Sequence, residues 1–266
     1  MNPAAAPFAL GDGPDACLLL HGLTGAPSEV RPLGEALAAA GLRAVAPLLP
    51  GHGTRPRDLA AVGRADLLAF AASQLAALRG ARRVFIAGLS AGALLSLRLA
   101  AREQRDGVPP IAAVALLAPA VRFAGSTWLF TQVLGRLPGS SFVIDKGSRD
   151  IAAEVPLAVD APPRQSLPLG MREDGSYSAI PLSWGRELRL LSDEALADAP
   201  RVRAPALLLH GGLDRTANPA SSRLLAGRLG SAAVRLRIFP QSGHVLPRDR
   251  DSAEVCRAVV SFFREA

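Results

Sequence analysis

Residues 84–95 constrain the fold of this chain more than any other stretch. An apolar, β-prone run at residues 84–87 leads into Gly-Leu-Ser-Ala-Gly at residues 88–92, and apolar residues at helical spacing follow directly. This order predicts a strand, a tight turn and a helix, with Ser90 at the tip of the turn in a strained backbone conformation. Glycines at positions 88 and 92 leave room for the strand and the helix to come close together. A serine held in this way is a candidate nucleophile if the chain also supplies a base and an acid.

Apolar runs typical of strands alternate with helical patterns along most of the chain. Strands are predicted at residues 17–20, 44–49, 83–87, 111–117, 204–209 and 234–238. Because most of these runs are almost continuously apolar, those strands are expected to be buried on both faces. The run at residues 234–238 differs, because Val234, Leu236 and Ile238 alternate with arginines and predict a strand with one less buried face. The sequence therefore predicts the α/β class, with a mostly parallel central sheet and helices on both faces.

The alternation of strand and helix patterns is interrupted at residues 121–185. This segment contains apolar residues that include Leu134 and Leu137, followed by a proline-rich stretch. A structureless loop of such length inside a compact domain is uncommon. We therefore interpret residues 121–185 as an inserted cap, or lid, on a core domain formed by residues 1–120 and 186–266. Most of the apolar cap residues are expected to pack against the core, and a few to line an acyl pocket.

Charge and composition narrow the classes of partner. The formal net charge is +7, and it comes almost entirely from arginine because Lys146 is the only lysine. The arginines are scattered without a dense run or interleaved aromatic residues, which argues against nucleic acid binding. Residues 1–10 lack the features of a secretory signal, and no apolar run reaches membrane-spanning length. We expect a cytoplasmic protein without an integral membrane span, in which the distant Cys17 and Cys256 are simply buried.

The base for Ser90 must be one of four histidines. His21 and His210 each end an apolar run, and His52 lies between two glycines. His244 differs, because it follows a late strand and a loop at the carboxyl edge of a parallel sheet would bring it over Ser90. We therefore predict that His244 is the base, that His21 is structural and that His52 is bonded within its loop.

The acid that orients the base is predicted to be Asp214, which also follows the end of a strand. Two alternatives remain open. Asp214 is also placed to cap a helix or to pair with Arg215 at the surface. Asp193 is a weaker rival, because it lies in a polar stretch before a strand.

Four motifs together resemble those of a known family. They are Leu-Leu-Leu-His-Gly-Leu-Thr-Gly at residues 18–25, Gly-Leu-Ser-Ala-Gly at 88–92, Gly-Gly-Leu-Asp at 211–214 and Ser-Gly-His at 242–244. In this order the chain resembles α/β-hydrolase-fold serine esterases, and most of all the small bacterial carboxylesterases and monoacylglycerol lipases. The resemblance covers nearly the whole chain outside the predicted cap. One departure is Ala91 and Ala93, where bacterial monoacylglycerol lipases commonly carry methionine and glycine.

The resemblance implies an α/β-hydrolase fold and a role for each matching residue. Ser90 is expected to be the nucleophile and His244 the general base and acid, with Asp214 orienting His244. The backbone N–H groups of Leu23 and Ala91 are expected to form the oxyanion hole. The expected activity is hydrolysis of short- to medium-chain acyl esters, small-molecule substrates that need neither a metal nor an organic cofactor.

Other functions of the same fold stay open at this point. The same residues serve thioesterases, lactonases, carbon–carbon hydrolases and cofactor-free haloperoxidases. A non-catalytic relative that only binds a ligand is the alternative from another class. The oligomeric state, monomer or homodimer, is also open.

Overall fold

The computed structural model of the chain describes residues 2–102, 110–133, 142–145, 167 and 169–266. Its strands are β1 (Phe8–Leu10), β2 (Ala16–Leu20), β3 (Arg43–Ala46), β4 (Val84–Leu89), β5 (Ile111–Leu117), β6 (Val143–Asp145), β7 (Ala179–Pro181), β8 (Ala206–Gly211) and β9 (Val234–Phe239). A seven-stranded sheet has the order β1-β3-β2-β4-β5-β8-β9, and β1 is antiparallel to β3 while the other neighbours are parallel. The predicted mostly parallel sheet is confirmed.

Helices cover both faces of this sheet. They are α1 (Arg31–Ala39), α2 (Arg64–Ala76), α3 (Ala91–Ala100), α4 (Gly125–Gln132), α5 (Ser183–Asp198), α6 (Ala220–Ala226) and α7 (Ser252–Glu265). Alternate residues of β2 point to opposite faces, so Leu18 and Leu20 pack with α2, α3 and α5, whereas Cys17 and Leu19 pack with α1 and α7. Within the described ranges, no helix is long and apolar enough to cross a membrane.

The predicted cap is described in part. Its described portion contains α4 and a separate antiparallel pair formed by β6 and β7. Residues 134–141, 146–166 and 168, which include Leu134, Leu137 and Lys146, lie outside the described residues. The helix α5 begins at Ser183 and runs across the boundary predicted at residues 185/186. The division into core and cap stays a prediction.

The segment that leaves the predicted cap is held tightly on the sheet domain. Tyr177 is fully buried, and its hydroxyl donates to Gly51 O at 2.9 Å. Its backbone N–H donates to Thr24 O at 2.7 Å. Trp184 is also fully buried, and its indole N–H donates to Leu59 O at 2.9 Å. These contacts join the returning chain to the loops that follow β2 and β3.

Candidate active site

Ser90 lies at the turn between β4 and α3. Its backbone has φ 57° and ψ −115°, a region that non-glycine residues rarely adopt and that stores strain. The Ser90 N–H donates to Leu117 O at 2.8 Å, which ties the turn to the end of β5. The strand, tight turn and helix predicted from the motif are therefore present, with the serine at the tip.

The two glycines of the motif allow a very close approach of three elements. A Cβ atom on Gly88 would lie 2.2 Å from Gly92 O, and one on Gly92 would lie 2.2 Å from Leu20 O. Protein Cβ atoms do not approach other heavy atoms this closely, so any side chain at either position would displace backbone. The amino end of α3 consequently lies directly against the carboxyl end of β2.

A turn at residues 22–25 lies beside Ser90. The Gly25 N–H closes the turn by donating to Gly22 O at 2.9 Å. A Cβ on Gly22 would lie 3.6 Å from the Ser90 Cβ, which brings the turn into contact with the serine. Ala91 begins α3, so its N–H has no acceptor inside the helix. Among the described residues the Leu23 N–H also has no hydrogen-bond partner. Backbone donors are thus available on the turn beside Ser90 and at the residue after it.

The buried side chains of His21 and Glu29 contact the backbone of this turn. The Leu49 N–H donates to His21 Nε2 at 3.1 Å, so the proton of the neutral ring is on Nδ1, which lies 2.9 Å from Gly22 O. The pKa of His21 lies well below its ordinary value, mainly because the ring is buried and also because His52 is nearby. The Gly22 N–H donates to Glu29 Oε2 at 3.2 Å. His21 and Glu29 therefore fix both polar groups of the Gly22 backbone.

Asp214 and His244 meet where the loops after β8 and β9 come together. A Cβ on Gly211 would lie 2.0 Å from Gly243 O, so the close approach of the two loops requires glycine there. His244 Nδ1 lies 2.7 Å from Asp214 Oδ2. The Asp214 side chain is fully buried, whereas the His244 side chain keeps 10% of its surface exposed. The structure thus brings the predicted acid and the predicted base into direct contact.

The charge of Asp214 determines which nitrogen of His244 carries the proton. Burial by itself raises the pKa of Asp214, but the attraction of His244 and hydrogen bonds from His210 and His244 lower it well below its ordinary value. Asp214 is therefore ionised at neutral pH and can only accept hydrogen bonds. His244 Nδ1 must carry a proton, so Nε2 is the nitrogen of the neutral ring that can accept one.

The contacts of Asp214 and Asp193 bear on the alternatives for the acid. Asp214 does brace its own turn, because its Oδ1 accepts the N–H groups of Thr216 and Ala217 at 2.9 and 2.8 Å. Its other oxygen remains bonded to His244, so the two roles coexist. Asp193 instead pairs with Arg189 at 3.3 Å, and its side chain is 60% exposed. The geometry favours Asp214 over Asp193.

Ser90 and His244 share one edge of the sheet without a direct bond. Within the described ranges, the Ser90 hydroxyl makes no hydrogen bond. In unliganded enzymes such a serine–histidine bond is often long and tightens when the substrate is bound.

Sequence reasoning missed His210 as a partner of the site. His210 Nε2 lies 3.0 Å from Asp214 Oδ2. The sequence signal was the spacing His-Gly-Gly-Leu-Asp, in which a tight glycine turn at a strand end folds the fourth following residue back onto the histidine.

Known proteins resemble this chain over almost its full length. A thermostable monoacylglycerol lipase of Bacillus sp. (strain H-257) is 29% identical over 97% of this chain and 94% of its own length. A carboxylesterase of Bacillus subtilis (strain 168) is 23% identical over 97% of this chain and 96% of its own length. The solved structure of a metagenome-derived lipolytic enzyme superposes with a TM-score of 0.82 at 25% identity, and 99% of each chain is covered.

These relatives confirm the predicted fold class and the resemblance to α/β-hydrolase-fold esterases. A family model is matched as well, over residues 14–251, which include the Ser90 turn and both the Asp214 and His244 loops. The chain belongs to this α/β-hydrolase family, which is described as serine aminopeptidase S33 (Hydrolase_4).

Proposed function

We propose that this protein is a serine carboxylic ester hydrolase that cleaves short- to medium-chain acyl esters through an acyl-enzyme on Ser90. The observation that carries the proposal is the buried Asp214–His244 bond of 2.7 Å at the sheet edge where Ser90 is held with φ 57°. Serine is a weak nucleophile at its ordinary pKa and needs such an oriented base. The two curated relatives named above are both ester hydrolases, which supports the same reaction here.

The first half of the reaction forms the acyl-enzyme. Ser90 Oγ attacks the ester carbonyl while His244 Nε2 takes the hydroxyl proton. The resulting imidazolium is stabilised by the Asp214 carboxylate on its Nδ1 side. The N–H groups of Leu23 and Ala91 stabilise the negative charge on the carbonyl oxygen of the tetrahedral intermediate. His244 then gives its proton to the leaving alcohol.

The second half returns the enzyme to its starting state. Water attacks the acyl carbonyl, and His244 Nε2 accepts its proton. The same two N–H groups stabilise the second tetrahedral intermediate. His244 finally returns the proton to Ser90 Oγ as the acid is released. Each proton that leaves one oxygen in this cycle is delivered to another, so no further co-reactant is required.

The substrate is proposed to carry a hydrophobic acyl group. Three apolar side chains of the predicted cap, Trp128, Leu129 and Phe142, are each at least 50% exposed. Apolar surface of this kind favours contact with an acyl chain over contact with a charged group. We expect kcat/KM for p-nitrophenyl esters to rise from acetate to medium-chain esters, and a monoacylglycerol should be hydrolysed. A flat or falling profile would contradict this substrate preference.

The description of the family raises peptide hydrolysis as a second candidate. The same nucleophile and base can cleave an amide, so the two reactions must be separated by substrate. An aminoacyl p-nitroanilide and a p-nitrophenyl butyrate should be compared at equal concentrations. Hydrolysis of the butyrate alone is expected, and hydrolysis of the anilide alone would assign the chain to the peptidases.

The decisive variant is Ser90→Ala, with Ser73→Ala as its control on the exposed surface of α2. Ser90→Ala should abolish butyrate hydrolysis without unfolding the protein, and Ser73→Ala should behave as the wild type. A fluorophosphonate should add to Ser90, as measured by peptide mass spectrometry. Wild-type activity in Ser90→Ala would refute the proposal. A wild-type protein that does not react with the fluorophosphonate would instead be a ligand-binding relative.

A further inference from the structure

A second buried histidine, His210, contacts the carboxylate that orients His244. It lies near the end of β8 and is fully buried. His210 Nε2 is 3.0 Å from Asp214 Oδ2, the same oxygen that His244 Nδ1 approaches to 2.7 Å. One carboxylate oxygen thus serves two imidazoles. The mechanism above uses only one of them.

The surroundings of His210 determine its tautomer. Its Nε2 also lies 3.1 Å from Ala217 O, and because both neighbours of this nitrogen are acceptors, Nε2 carries the proton. Its Nδ1 lies 2.7 Å from Ser222 Oγ, and the serine hydroxyl can donate to it. A neutral ring with the proton on Nε2 satisfies every contact. Both nitrogens are occupied and the ring is buried, so His210 cannot itself act on a substrate.

The contacts of Asp214 show what His210 contributes. Oδ1 is held by the backbone N–H groups of Thr216 and Ala217, at 2.9 and 2.8 Å. Oδ2 is held by the two histidines. An ionised carboxylate accepts about four hydrogen bonds, and here all four sites are filled. Without His210, Oδ2 would keep His244 as its single side-chain partner, inside a site too buried for water to replace the lost donor easily.

We propose that His210 is a positioning residue for the reaction: oriented by Ser222, it holds Asp214 Oδ2 at the place from which this oxygen orients His244. The inference rests on the proposed function, in which His244 is the base. It predicts that the hydroxyl of Ser222 influences turnover although Ser222 lies on α6 and, among the described residues, its hydroxyl hydrogen-bonds only to His210.

Variants of His210 test the donor itself. His210→Ala removes a hydrogen bond to a buried charge, so kcat for p-nitrophenyl butyrate is expected to fall about 10- to 100-fold. KM should change less than about threefold, because His210 does not contact the substrate. His210→Gln can place an amide N–H near the position of the imidazole Nε2, and it should recover most of the lost kcat. Recovery by His210→Gln is required if a donor at this position matters, and the Ser222→Ala variant, which changes packing little, distinguishes positioning from loss of packing.

A matched pair of serines tests the orienting contact. Ser221 and Ser222 are adjacent and fully buried on α6, but Ser221 Oγ bonds to the backbone of Arg122 instead. Ser222→Ala should lower kcat roughly three- to tenfold, since one neutral hydrogen bond is lost. Ser221→Ala should keep the wild-type kcat even if its melting temperature falls. This pair remains informative if His210→Ala does not fold.

The outcomes separate this inference from the proposed function. Wild-type kcat in a folded His210→Ala variant would overturn the inference and leave the proposed function intact. Equal losses in Ser221→Ala and Ser222→Ala, or a His210→Gln variant as slow as His210→Ala, would also overturn it. A wild-type protein that neither hydrolyses the ester nor reacts with the fluorophosphonate would refute the proposed function, and the inference with it.

Discussion

Replacing Gly92 with alanine places a methyl group against the buried end of β2. The added Cβ would lie 2.2 Å from Leu20 O and 2.6 Å from His21 O. The separation from Leu20 O must grow by about 0.8 Å to reach 3.0 Å, the shortest distance that Cβ atoms in proteins show. Leu20 is fully buried and pairs with Gly88 of β4, so no side-chain rotation relieves the collision. Either α3 or the end of β2 must move.

Gly92→Ala should lower the free energy of unfolding, because the added methyl group overpacks a dense core. Such insertions typically destabilise a protein by about 1 to 3 kcal/mol, and we expect the upper end because the opposing atoms are backbone. A loss of about 3 kcal/mol corresponds to a fall of about 6 to 12 °C in melting temperature for a domain near this size. The movement also displaces the Ala91 N–H from the turn at residues 22–25, so kcat should fall in the protein that remains folded.

Thermal denaturation followed by circular dichroism measures the effect. Gly80→Ala is the control, because a Cβ there meets nothing within 4 Å. Gly80→Ala should stay within about 0.5 kcal/mol of the wild type and keep its activity. A Gly92→Ala variant that melts within about 2 °C of the wild type would refute the reasoning, as would an equal loss in Gly80→Ala.

Two further predictions concern buried carboxylates. Glu29→Ala removes the acceptor of the Gly22 N–H, so kcat should fall about three- to tenfold. Glu29→Gln keeps an acceptor, so its kcat should fall less. Equal kcat values for the two variants would contradict this role of Glu29. At Asp15, hydrogen bonds from Arg82 and from Arg83 hold the carboxyl pKa well below its ordinary value, although burial opposes the shift. A carboxyl group whose pKa is lower in the folded state stabilises the protein when the pH lies above its unfolded-state pKa of about 4. The wild type should therefore be more stable than Asp15→Asn by a constant free energy of unfolding above about pH 5, and this difference should shrink below about pH 4. Urea denaturation at pH 7, 5 and 3 measures this difference in the free energy of unfolding. A difference that grew as the pH fell would contradict the prediction.

Local patterns in the sequence were enough to predict most elements and to suggest which residues form the proposed site. The strand, turn and helix around Ser90 follow from apolar periodicity and from two glycines, and both signals depend only on neighbours in the chain. The order of Ser90, Asp214 and His244 follows from motifs at three strand ends. One strand was predicted too long: the run to residue 49 ends as a strand at Ala46, because Pro47 has no N–H for the ladder and the Leu49 N–H donates to His21 instead.

Only the tertiary structure decided which distant groups touch. The antiparallel pairing of β1 with β3 and the contact of α3 with the end of β2 both join parts of the chain that no local pattern relates. A periodicity states which face of an element is apolar, but not which neighbour covers that face. His21 and His210 therefore look alike in the sequence, because each ends an apolar run. In the folded protein His21 contacts the turn beside Ser90, whereas His210 contacts the Asp214 carboxylate that orients His244.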